Sequence, residues 1–422
     1  MSASQLSVAF FFQMFVILAA CRGVGWFARR VGQPQVVGEM IAGVLLGPSL
    51  FGLLFPQCQQ AIFPKESLKT LYVGAQLGVG LYMFLVGVEF RTDLFRTRVR
   101  SAASVSIAGM LAPFGLAWLL APWLLTVPGL FSEKAKLFEA ILFLGAAISI
   151  TAFPMLARII YERGLTGTTL GTLALSAGAI DDAAAWCVLA IVLASFGGGP
   201  VVAVKAIAGG AAYALFVLII GRRLLLRLGA VVDRDGKLSH TMLGVVLMLL
   251  MLGAWTTDAI GIHAVFGGFL LGAAMPRGIL ARELQSKLEP FAVVFLLPMF
   301  FTYSGLNTRL DLVTSVNLLL IAAVLLAISI LGKGVACWAA ARLNGEENRT
   351  ALAVGTLMNA RGLMELIIVN IGLQKGVIQP ALFSMLVLMA IVTTLMASPV
   401  FELVYGRRAR LRGELGKAPL GH

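Results

Sequence analysis

Two adjacent aspartates, Asp181 and Asp182, lie in the segment SAGAIDDAAAW, where the other residues are apolar or small. Neighbouring residues of a helix project about 100° apart, so one carboxylate can face an aqueous path while the other faces a partner side chain. Carboxylate oxygens bind protons and also small hard cations. The pair therefore predicts a site at which a proton and a monovalent cation compete for the same oxygens.

A single lysine, Lys333, lies deep in another apolar segment, ILGKGVACW. An ionisable side chain in such a segment is costly if the segment crosses a membrane, and it is usually paired or functional. Lys333 is therefore predicted to neutralise one of the two aspartates when no cation is bound. In the alternative interpretation an Asp–Lys pair only holds helices together, which leaves the second aspartate unexplained.

A third apolar segment, ISITAFPMLARII, contains Pro154, which cannot donate a backbone hydrogen bond to a helix. The hydroxyl groups of Ser149 and Thr151 lie beside this break in the sequence. The three residues predict a broken helix that offers hydroxyl oxygens to the site. A kink with a purely structural role is the alternative.

A fourth segment, MNARGLMELIIVNIG, contains Asn359, Arg361 and Glu365. Such polarity in the middle of an apolar segment indicates an interrupted helix that lines the site. Arg361 and Glu365 are four residues apart, so they can pair on one face of a helix. Glu39 can also reach Arg361 if their two segments touch. For these charged residues we favour a structural role over direct cation binding.

The composition is that of a polytopic helical membrane protein. Of the 422 residues, 59% are hydrophobic and 13% are charged, whereas a typical soluble domain has about 25% charged residues. Apolar stretches of about 20 residues, enough for a helix to cross a bilayer core, recur along the chain. The sequence contains no phosphate-binding glycine loop, metal-ligand cluster or nucleophile–histidine arrangement. It is therefore not predicted to be an enzyme or to need a cofactor.

The basic residues orient the predicted spans. The segments that would connect the spans on one side of the membrane contain 24 lysines and arginines, and those on the other side contain seven. Positive residues accumulate on the cytoplasmic side, so the N-terminus is predicted outside and the C-terminus inside a plasma (inner) membrane. This distribution accounts for the net charge of +13 without a nucleic-acid partner. The thirteen predicted spans are 6–28, 35–54, 68–90, 101–126, 137–160, 168–196, 201–221, 240–257, 262–280, 290–306, 314–341, 349–373 and 378–404.

Two pairs of matching segments predict an internal repeat. The segment AGVLLG at 42–47 matches GGFLLG at 267–272, and LYMFLVGVEFRTDL in the third span matches LPMFFTYSGLNTRLDL in the tenth. With the seventh span as a linker, spans 1–6 and spans 8–13 begin on opposite sides of the membrane. The sequence thus predicts two inverted six-helix repeats, which is the architecture of many secondary transporters.

Six motifs in order, covering about residues 30 to 400, resemble the monovalent cation:proton antiporter superfamily. The motifs are GQPQVVGEMIAGVLLGPSLFG, FLVGVEF, SAGAIDDAAAW, HAVFGGFLLGAAMPR, LPMFFTYSGL and MNARGLMELIIVNIGL. The branch that they resemble includes sodium/proton exchangers and plant-type cation/proton exchangers. The resemblance implies the all-α sodium/proton antiporter fold, with thirteen transmembrane helices in inverted repeats, crossed interrupted helices and assembly as a homodimer.

The resemblance also implies roles for residues and segments. Asp182 matches the carboxylate that binds a cation or a proton in turn, and it is the residue expected to hold the monovalent ion. Asp181 matches the residue that pairs with Lys333, and Thr151 matches a contributor to the ion site. The implied segments are scaffold and dimerisation helices in 1–100 and 238–312, core helices in 101–196 and 313–405, a linker helix in 197–237 and a cytoplasmic tail in 406–422.

The sequence therefore predicts a secondary active antiporter, surrounded by membrane lipid, that exchanges Na⁺ or K⁺ for protons by alternating access. The Asp-Asp pair with Lys333 resembles electrogenic sodium/proton exchangers and favours sodium. The motif MNARGLMELIIVNIGL resembles the plant group associated with potassium, which is the second candidate cation. A sodium-coupled symporter of an organic anion with the same fold is the alternative, and a channel or an ion sensor is the alternative from another class.

Overall fold

The computed structural model describes residues 2–33, 35–89, 92–165, 168–193, 199–261, 264–308, 312–313 and 315–412. These residues form helices and no β-strand, apart from an isolated antiparallel bridge between Phe131 and Ile378. The first ten α-helices are α1 (Ala3–Arg30), α2 (Gln35–Leu46), α3 (Phe51–Leu54), α4 (Pro56–Ile62), α5 (Leu68–Glu89), α6 (Thr92–Thr126), α7 (Leu137–Ser149), α8 (Phe153–Glu162), α9 (Thr169–Leu193) and α10 (Gly199–Leu215). The next ten are α11 (Arg222–Asp235), α12 (His240–Ile260), α13 (Ala264–Ala274), α14 (Ile279–Phe291), α15 (Leu297–Leu306), α16 (Val316–Leu343), α17 (Asn348–Leu357), α18 (Leu363–Gln374), α19 (Pro380–Phe401) and α20 (Arg407–Leu411).

Eight helical stretches of the described chain are long and apolar enough to cross a membrane. They are Ser4–Arg30, Gln35–Leu54, Pro56–Glu89, Val99–Thr126, His240–Ile260, Ile279–Leu306, Val316–Leu343 and Pro380–Leu411. The helices α7 and α13 are apolar but shorter. The predicted all-helical class is confirmed, whereas the count of thirteen spans and the inverted six-helix repeats stay predictions.

The predicted spans 137–160 and 349–373 are each interrupted. In 137–160, α7 ends at Ser149 and α8 begins at Phe153, and in 349–373, α17 ends at Leu357 and α18 begins at Leu363. The second interruption ends at Gly362, whose φ of +154° is open to glycine but strained for residues with a Cβ atom. Both breaks therefore fall where helix-breaking or polar residues stand in the sequence.

The helices divide into two compact units. The first unit comprises Met1–Gly23, Ala42–Thr92 and Leu193–Asn307, and the second comprises Val24–Ile41, Asp93–Val192 and Thr308–His422. Both interrupted spans and the two aspartates belong to the second unit. All the contacts of the candidate site described below are therefore internal to that unit.

Close glycine contacts pack the first unit. A Cβ atom added at Gly43 would overlap the carbonyl oxygen of Phe301 in α15, and one added at Gly272 would overlap the carbonyl oxygen of Phe84 in α5. Gly43 belongs to AGVLLG in α2, and Gly272 belongs to GGFLLG in α13. Each of the two matching segments thus provides a backbone approach that a larger residue would prevent.

Apolar side chains from six helices form a core in the second unit. They include Val105 of α6, Leu156 of α8, Leu173 of α9, Cys337 of α16 and Val354 of α17, and α19 contributes as well. Because this packing fixes the faces that α6, α9 and α16 turn toward one another, it also fixes the positions of the polar side chains that these helices bury.

Candidate ion-binding site

The two aspartates of α9 are buried. Asp181 is 0% exposed and Asp182 is 1% exposed. The residues around them in α9 are mostly alanine, glycine and other apolar side chains, so the helix itself offers few polar partners. Each carboxylate must therefore be satisfied by groups from other elements or by a bound ion or proton.

Asp181 is the centre of a network of charge and hydrogen bonds. Its Oδ2 lies 2.6 Å from the Nζ atom of Lys333 in α16, and both side chains are fully buried. Thr151 approaches the same oxygen at 2.9 Å, and Ser106 of α6 approaches Oδ1 at 2.5 Å. Asp181 thus has an ionic partner and two hydroxyl partners from three different elements, which offset the cost of burying its charge.

Lys333 also acts at the end of a helix. Its Nζ donates a hydrogen bond to the carbonyl oxygen of Ser149, the last residue of α7. The last carbonyl groups of a helix lack partners within the helix, and they attract positive charge. Lys333 therefore stabilises the first interruption and neutralises Asp181 at the same time.

Thr151 joins the two interruptions. Its Oγ1 lies 2.8 Å from the carbonyl oxygen of Met358 and 2.9 Å from Asp181 Oδ2. The backbone N–H of Ala152 donates to the carbonyl oxygen of Ala360 at 3.0 Å. A threonine hydroxyl has one proton, so it donates fully to only one of its two acceptors at a time. The bonding of Thr151 is thus sensitive to the charge on Asp181.

Arg361 completes the end of α7. Its guanidinium group donates to the carbonyl oxygens of Ala147 at 3.0 Å and Ile148 at 2.5 Å. Its contact with Glu365, which lies in the first turn of α18, is longer, at 3.5 Å. A cation at a helix C-terminus and an anion at a helix N-terminus are both favourable. This pair therefore lies where it stabilises the broken ends of both spans.

The remaining predicted residues lie around this network or on a separate helix. Asn359 donates to the carbonyl oxygens of Ile330 and Gly355, each at 3.2 Å, and the hydroxyl of Ser149 lies 3.4 Å from the carbonyl oxygen of Ala146. Pro154 is the second residue of α8, a position at which a backbone N–H has no acceptor within the helix, so proline costs no helical hydrogen bond there. Its side chain lies outside the described residues. Glu39, buried on α2, accepts a hydrogen bond from Gln35 at 2.9 Å.

Asp182 differs from its neighbour in its surroundings. Both of its carboxylate oxygens are buried, and neither has a hydrogen-bond partner among the described residues. An isolated carboxylate in such a place is strongly unfavourable unless a proton or a cation neutralises it. Hard monovalent cations prefer oxygen ligands, and the interruption after α7, which contacts the neighbouring Asp181 through Thr151, contains hydroxyl and carbonyl oxygens. Within the described chain, no three His, Cys, Asp or Glu side chains form a group suited to a multidentate metal site.

Ser106 is a site residue that the sequence did not reveal. It is fully buried and bonds Asp181, but it lies in the segment RSAASVSIAG, where several small polar residues are alike. The serine that faces Asp181 is identified only by the way α6 packs beside α9. The nearby Ser104 is partly exposed on the same helix and has no described hydrogen bond through its side chain.

Replacing Ser106 with alanine is expected to leave Asp181 Oδ1 buried without its hydroxyl donor. The cost of an unsatisfied buried acceptor is about 1–3 kcal/mol, so the free energy of unfolding should fall by that order while exchange persists at a reduced rate. Thermal unfolding and vesicle flux would measure both effects, with Ser104→Ala as the matched control. Equal stability of the two variants would show that the Ser106 hydroxyl does not support Asp181.

Comparisons with known proteins identify the family of the chain. Residues 9–404 match the family model described as "Sodium/hydrogen exchanger, transmembrane". The Na(+)/H(+) antiporter NhaS4 of Synechocystis sp. is 40% identical over 399 residues, which cover 93% of this chain and 96% of the relative. The K(+)/H(+) antiporter 1 of Saccharomyces cerevisiae is 33% identical over 96% of this chain, but this chain spans only 47% of that protein.

A solved structure supports the same fold. The sodium proton antiporter MjNhaP1 from Methanocaldococcus jannaschii superposes with a TM-score of 0.66, covering 96% of this chain and 99% of the other at 14% identity. The family is one of membrane transporters, not of enzymes, and the resemblance inferred from the six motifs is confirmed. The chain is a multi-pass membrane protein that belongs to the sodium/hydrogen exchanger family.

Proposed function

We propose that this protein is a secondary active antiporter that exchanges a monovalent cation for protons. The observation that carries the proposal is Asp182, whose two buried oxygens have no hydrogen-bond partner among the described residues. A proton and a cation each neutralise such a carboxylate, but they do not occupy the same oxygens together. Mutually exclusive binding at one site couples the two fluxes when the site opens to each side of the membrane in turn.

Asp181 and Lys333 are proposed to respond to the arrival of the cation. Their side chains are 2.6 Å apart, and Asp181 directly precedes Asp182 on α9. A positive ion beside Asp182 repels Lys333 and attracts Asp181, so it weakens the ion pair. Thr151, which contacts Asp181, is proposed to contribute its hydroxyl oxygen to the ion once the pair has loosened. The transported species are then the cation and protons, and no cofactor takes part.

Sodium is the proposed cation, with potassium as the second candidate. A compact set of carboxylate, hydroxyl and carbonyl oxygens suits a small hard ion. NhaS4, the 40% identical relative, is named for Na⁺, whereas the yeast relative is named for K⁺. Which of the two ions is preferred depends on the size of the space that the oxygen ligands around Asp182 enclose. Flux measurements with each cation can determine that preference.

Alternating access is proposed to move the helices that bear the site. We assign a core role to the helices within 101–196 and 313–405, which include the interrupted spans, and a scaffold and dimerisation role to those within 1–100 and 238–312. A helix that is broken at the site can change the packing of its two halves without losing all its hydrogen bonds. The protein is proposed to act as a homodimer in the plasma (inner) membrane with its C-terminus in the cytoplasm.

Two other functions make different predictions. A sodium-coupled symporter of an organic anion would need a roomy polar cavity beside the aspartates and would move little proton current without that anion. A channel or a sensor would not show saturable, coupled exchange. The buried and unpartnered carboxylate favours proton coupling, because protonation is the simplest way to neutralise Asp182 when no metal ion is bound.

Proton flux in sealed vesicles tests the proposal directly. Purified protein is reconstituted, a pH gradient is imposed, and sodium, potassium or lithium chloride is added while internal pH is followed. Saturable dissipation of the gradient by sodium supports sodium/proton exchange, and equal dissipation by potassium assigns a broader cation/proton exchanger. If well-folded protein gives no flux with any of the three cations, the antiport proposal is wrong.

A further inference from the structure

A basic cavity in the second unit has three arginines, and neither of the two aspartates, among its described lining residues. It has a volume of about 780 Å³, and Arg163, Arg407 and Arg410 line it together with Glu402. Ligand pockets in proteins commonly enclose about 300–1,000 Å³. The cavity is thus large enough for a small organic group, and its charged lining indicates which chemistry that group would have.

The charges around the cavity do not cancel. Glu402 contacts both Arg163, at 2.8 Å, and Arg410, so a single carboxylate is shared between two guanidinium groups. Arg407 is exposed and has no ion pair in the described part of the chain. Three positive charges and one negative charge leave a net charge of two, and guanidinium groups bind phosphate oxygens in bidentate geometry. The cavity therefore favours a phosphate ester.

The cavity also has an apolar edge. Leu403 and Leu411 line it, and they are 76% and 85% exposed. Two exposed leucines beside unneutralised arginines form an amphipathic surface, which suits a ligand with an anionic head and a hydrocarbon tail. None of the described residues that line the cavity is aromatic, so they include no side chain on which a nucleotide base would stack. The chemistry fits a phospholipid better than a soluble nucleotide.

The length of the last helical stretch places the cavity at the depth of lipid headgroups. Pro380–Leu411 is a continuous helical stretch of 32 residues, which corresponds to about 48 Å, whereas the hydrocarbon core of a bilayer is about 30 Å thick. The apolar part, α19, has 22 residues and ends at Phe401. The charged part that starts at Glu402 therefore extends past the hydrocarbon into the headgroup region, where lipid phosphates lie.

From these observations we propose that the cavity binds the phosphate headgroup of an anionic phospholipid from the leaflet next to α20. Arg407 and Arg410 hold the phosphate, and the acyl chains run along Leu403 and Leu411. Arg163 follows α8, the second half of the first interrupted span, by one residue, and it also bonds Ser398 and the carbonyl oxygen of Gly32. The cavity thus lies at the end of α8, the helix that begins just after the interruption containing Thr151.

Lipid binding to purified protein in detergent tests this proposal independently of transport. The probes are phosphatidylglycerol, phosphatidylcholine of the same chain length, and inorganic phosphate, measured by native mass spectrometry and by the shift of the melting temperature. Each arginine near an anionic membrane surface contributes about 1 kcal/mol, or about five-fold in affinity. We expect Arg407→Gln to weaken phosphatidylglycerol binding about five-fold and Arg407→Gln/Arg410→Gln to weaken it further.

Arg408→Gln is the matched control, because Arg408 is exposed on the same helix and does not line the cavity. This variant should bind phosphatidylglycerol like the original protein. An equal loss in Arg408→Gln would mean that only general surface charge attracts lipid, and it would overturn the proposal. Equal binding of phosphatidylcholine, or displacement of the lipid by inorganic phosphate at similar concentration, would also overturn it. Melting temperatures without lipid confirm that the variants are folded.

Discussion

Replacing Asp182 with asparagine is expected to reduce cation-driven proton flux to the level of protein-free vesicles while the protein still folds. The amide has nearly the shape of the carboxylate, but it carries no negative charge and releases no proton. In the folded protein the oxygens of Asp182 have no hydrogen-bond partner among the described residues, so the substitution removes no known protein contact. Both halves of the proposed cycle depend on that charge, and both should therefore stop.

The stability of this variant gives a second, independent prediction. A buried carboxylate without a partner destabilises the folded state in its charged form, and asparagine removes that cost. Asp182→Asn should consequently unfold at the same temperature as the original protein or at a higher one. Sodium should raise the melting temperature of the original protein but not that of the variant, because ligands stabilise only the state that binds them.

Asp235→Asn is the matched control for these measurements, because Asp235 is exposed at the end of α11 in the first unit. It should exchange cations normally and should keep the stabilisation by sodium. Flux retained in Asp182→Asn would exclude Asp182 as the shared site for proton and cation. A variant that lost flux because it no longer folded would instead assign Asp182 a structural role.

The sequence predicted those features that depend on local composition. Long apolar runs predicted helices, and the helices are present. A helix that buries its side chains in lipid or in a core requires only a sufficient length of hydrophobic residues, which the sequence shows directly. Pro154 and the polar residues around Arg361 predicted two broken spans, and α7, α8, α17 and α18 are separated there. A proline or an intramembrane charge is visible in the sequence whatever its neighbours are.

Features that depend on which helix faces meet were not predictable. Arg361 was predicted to pair with Glu365, four residues away, and the two are 3.5 Å apart. The shorter contacts of Arg361 are to the carbonyl oxygens of Ala147 and Ile148, which no spacing rule relates to it. These carbonyl groups are free to accept only because α7 ends at Ser149. The sequence could not show that the second break lies beside that end.

The pairing of Asp181 with Lys333 was only partly predictable from the sequence. The rarity of a lysine inside an apolar segment identified Lys333, and the need to neutralise it identified an aspartate as its partner. The choice of Asp181 over Asp182 came from a family resemblance, because two adjacent carboxylates are equivalent in composition. The contact at 2.6 Å depends on the register of α9 against α16. Because α9 contains many small residues, its sequence has no clear hydrophobic periodicity from which that register could be predicted.

Lys333→Met is expected to lower the free energy of unfolding by about 3–5 kcal/mol, because it leaves Asp181 charged and buried without its ionic partner. The double variant Asp181→Asn/Lys333→Met removes both charges, and the hydroxyl groups of Ser106 and Thr151 can still bond the asparagine amide. Replacing both members of a buried ion pair is often nearly neutral, so most of the stability should return. A double-mutant cycle of unfolding measurements isolates the interaction between the two side chains. If Lys333→Met were as stable as the original protein, the two groups would not form an ion pair in the membrane.

The voltage dependence of exchange then distinguishes an Asp181–Lys333 pair with a structural role from one that takes part in transport. The double variant keeps Asp182, so it should still exchange cations for protons. If the pair only holds α9 against α16, that exchange should respond to membrane potential as in the original protein. If Asp181 leaves Lys333 when the cation binds, as proposed, the variant lacks two charges that change their partners during the cycle. The exchange rate of the double variant should then depend on an imposed membrane potential differently from that of the original protein. Such a potential contributes about 2.3 kcal/mol per elementary charge per 100 mV. An identical voltage response in the two proteins would limit Asp181 and Lys333 to the structural role and leave Asp182 as the residue that couples the ions.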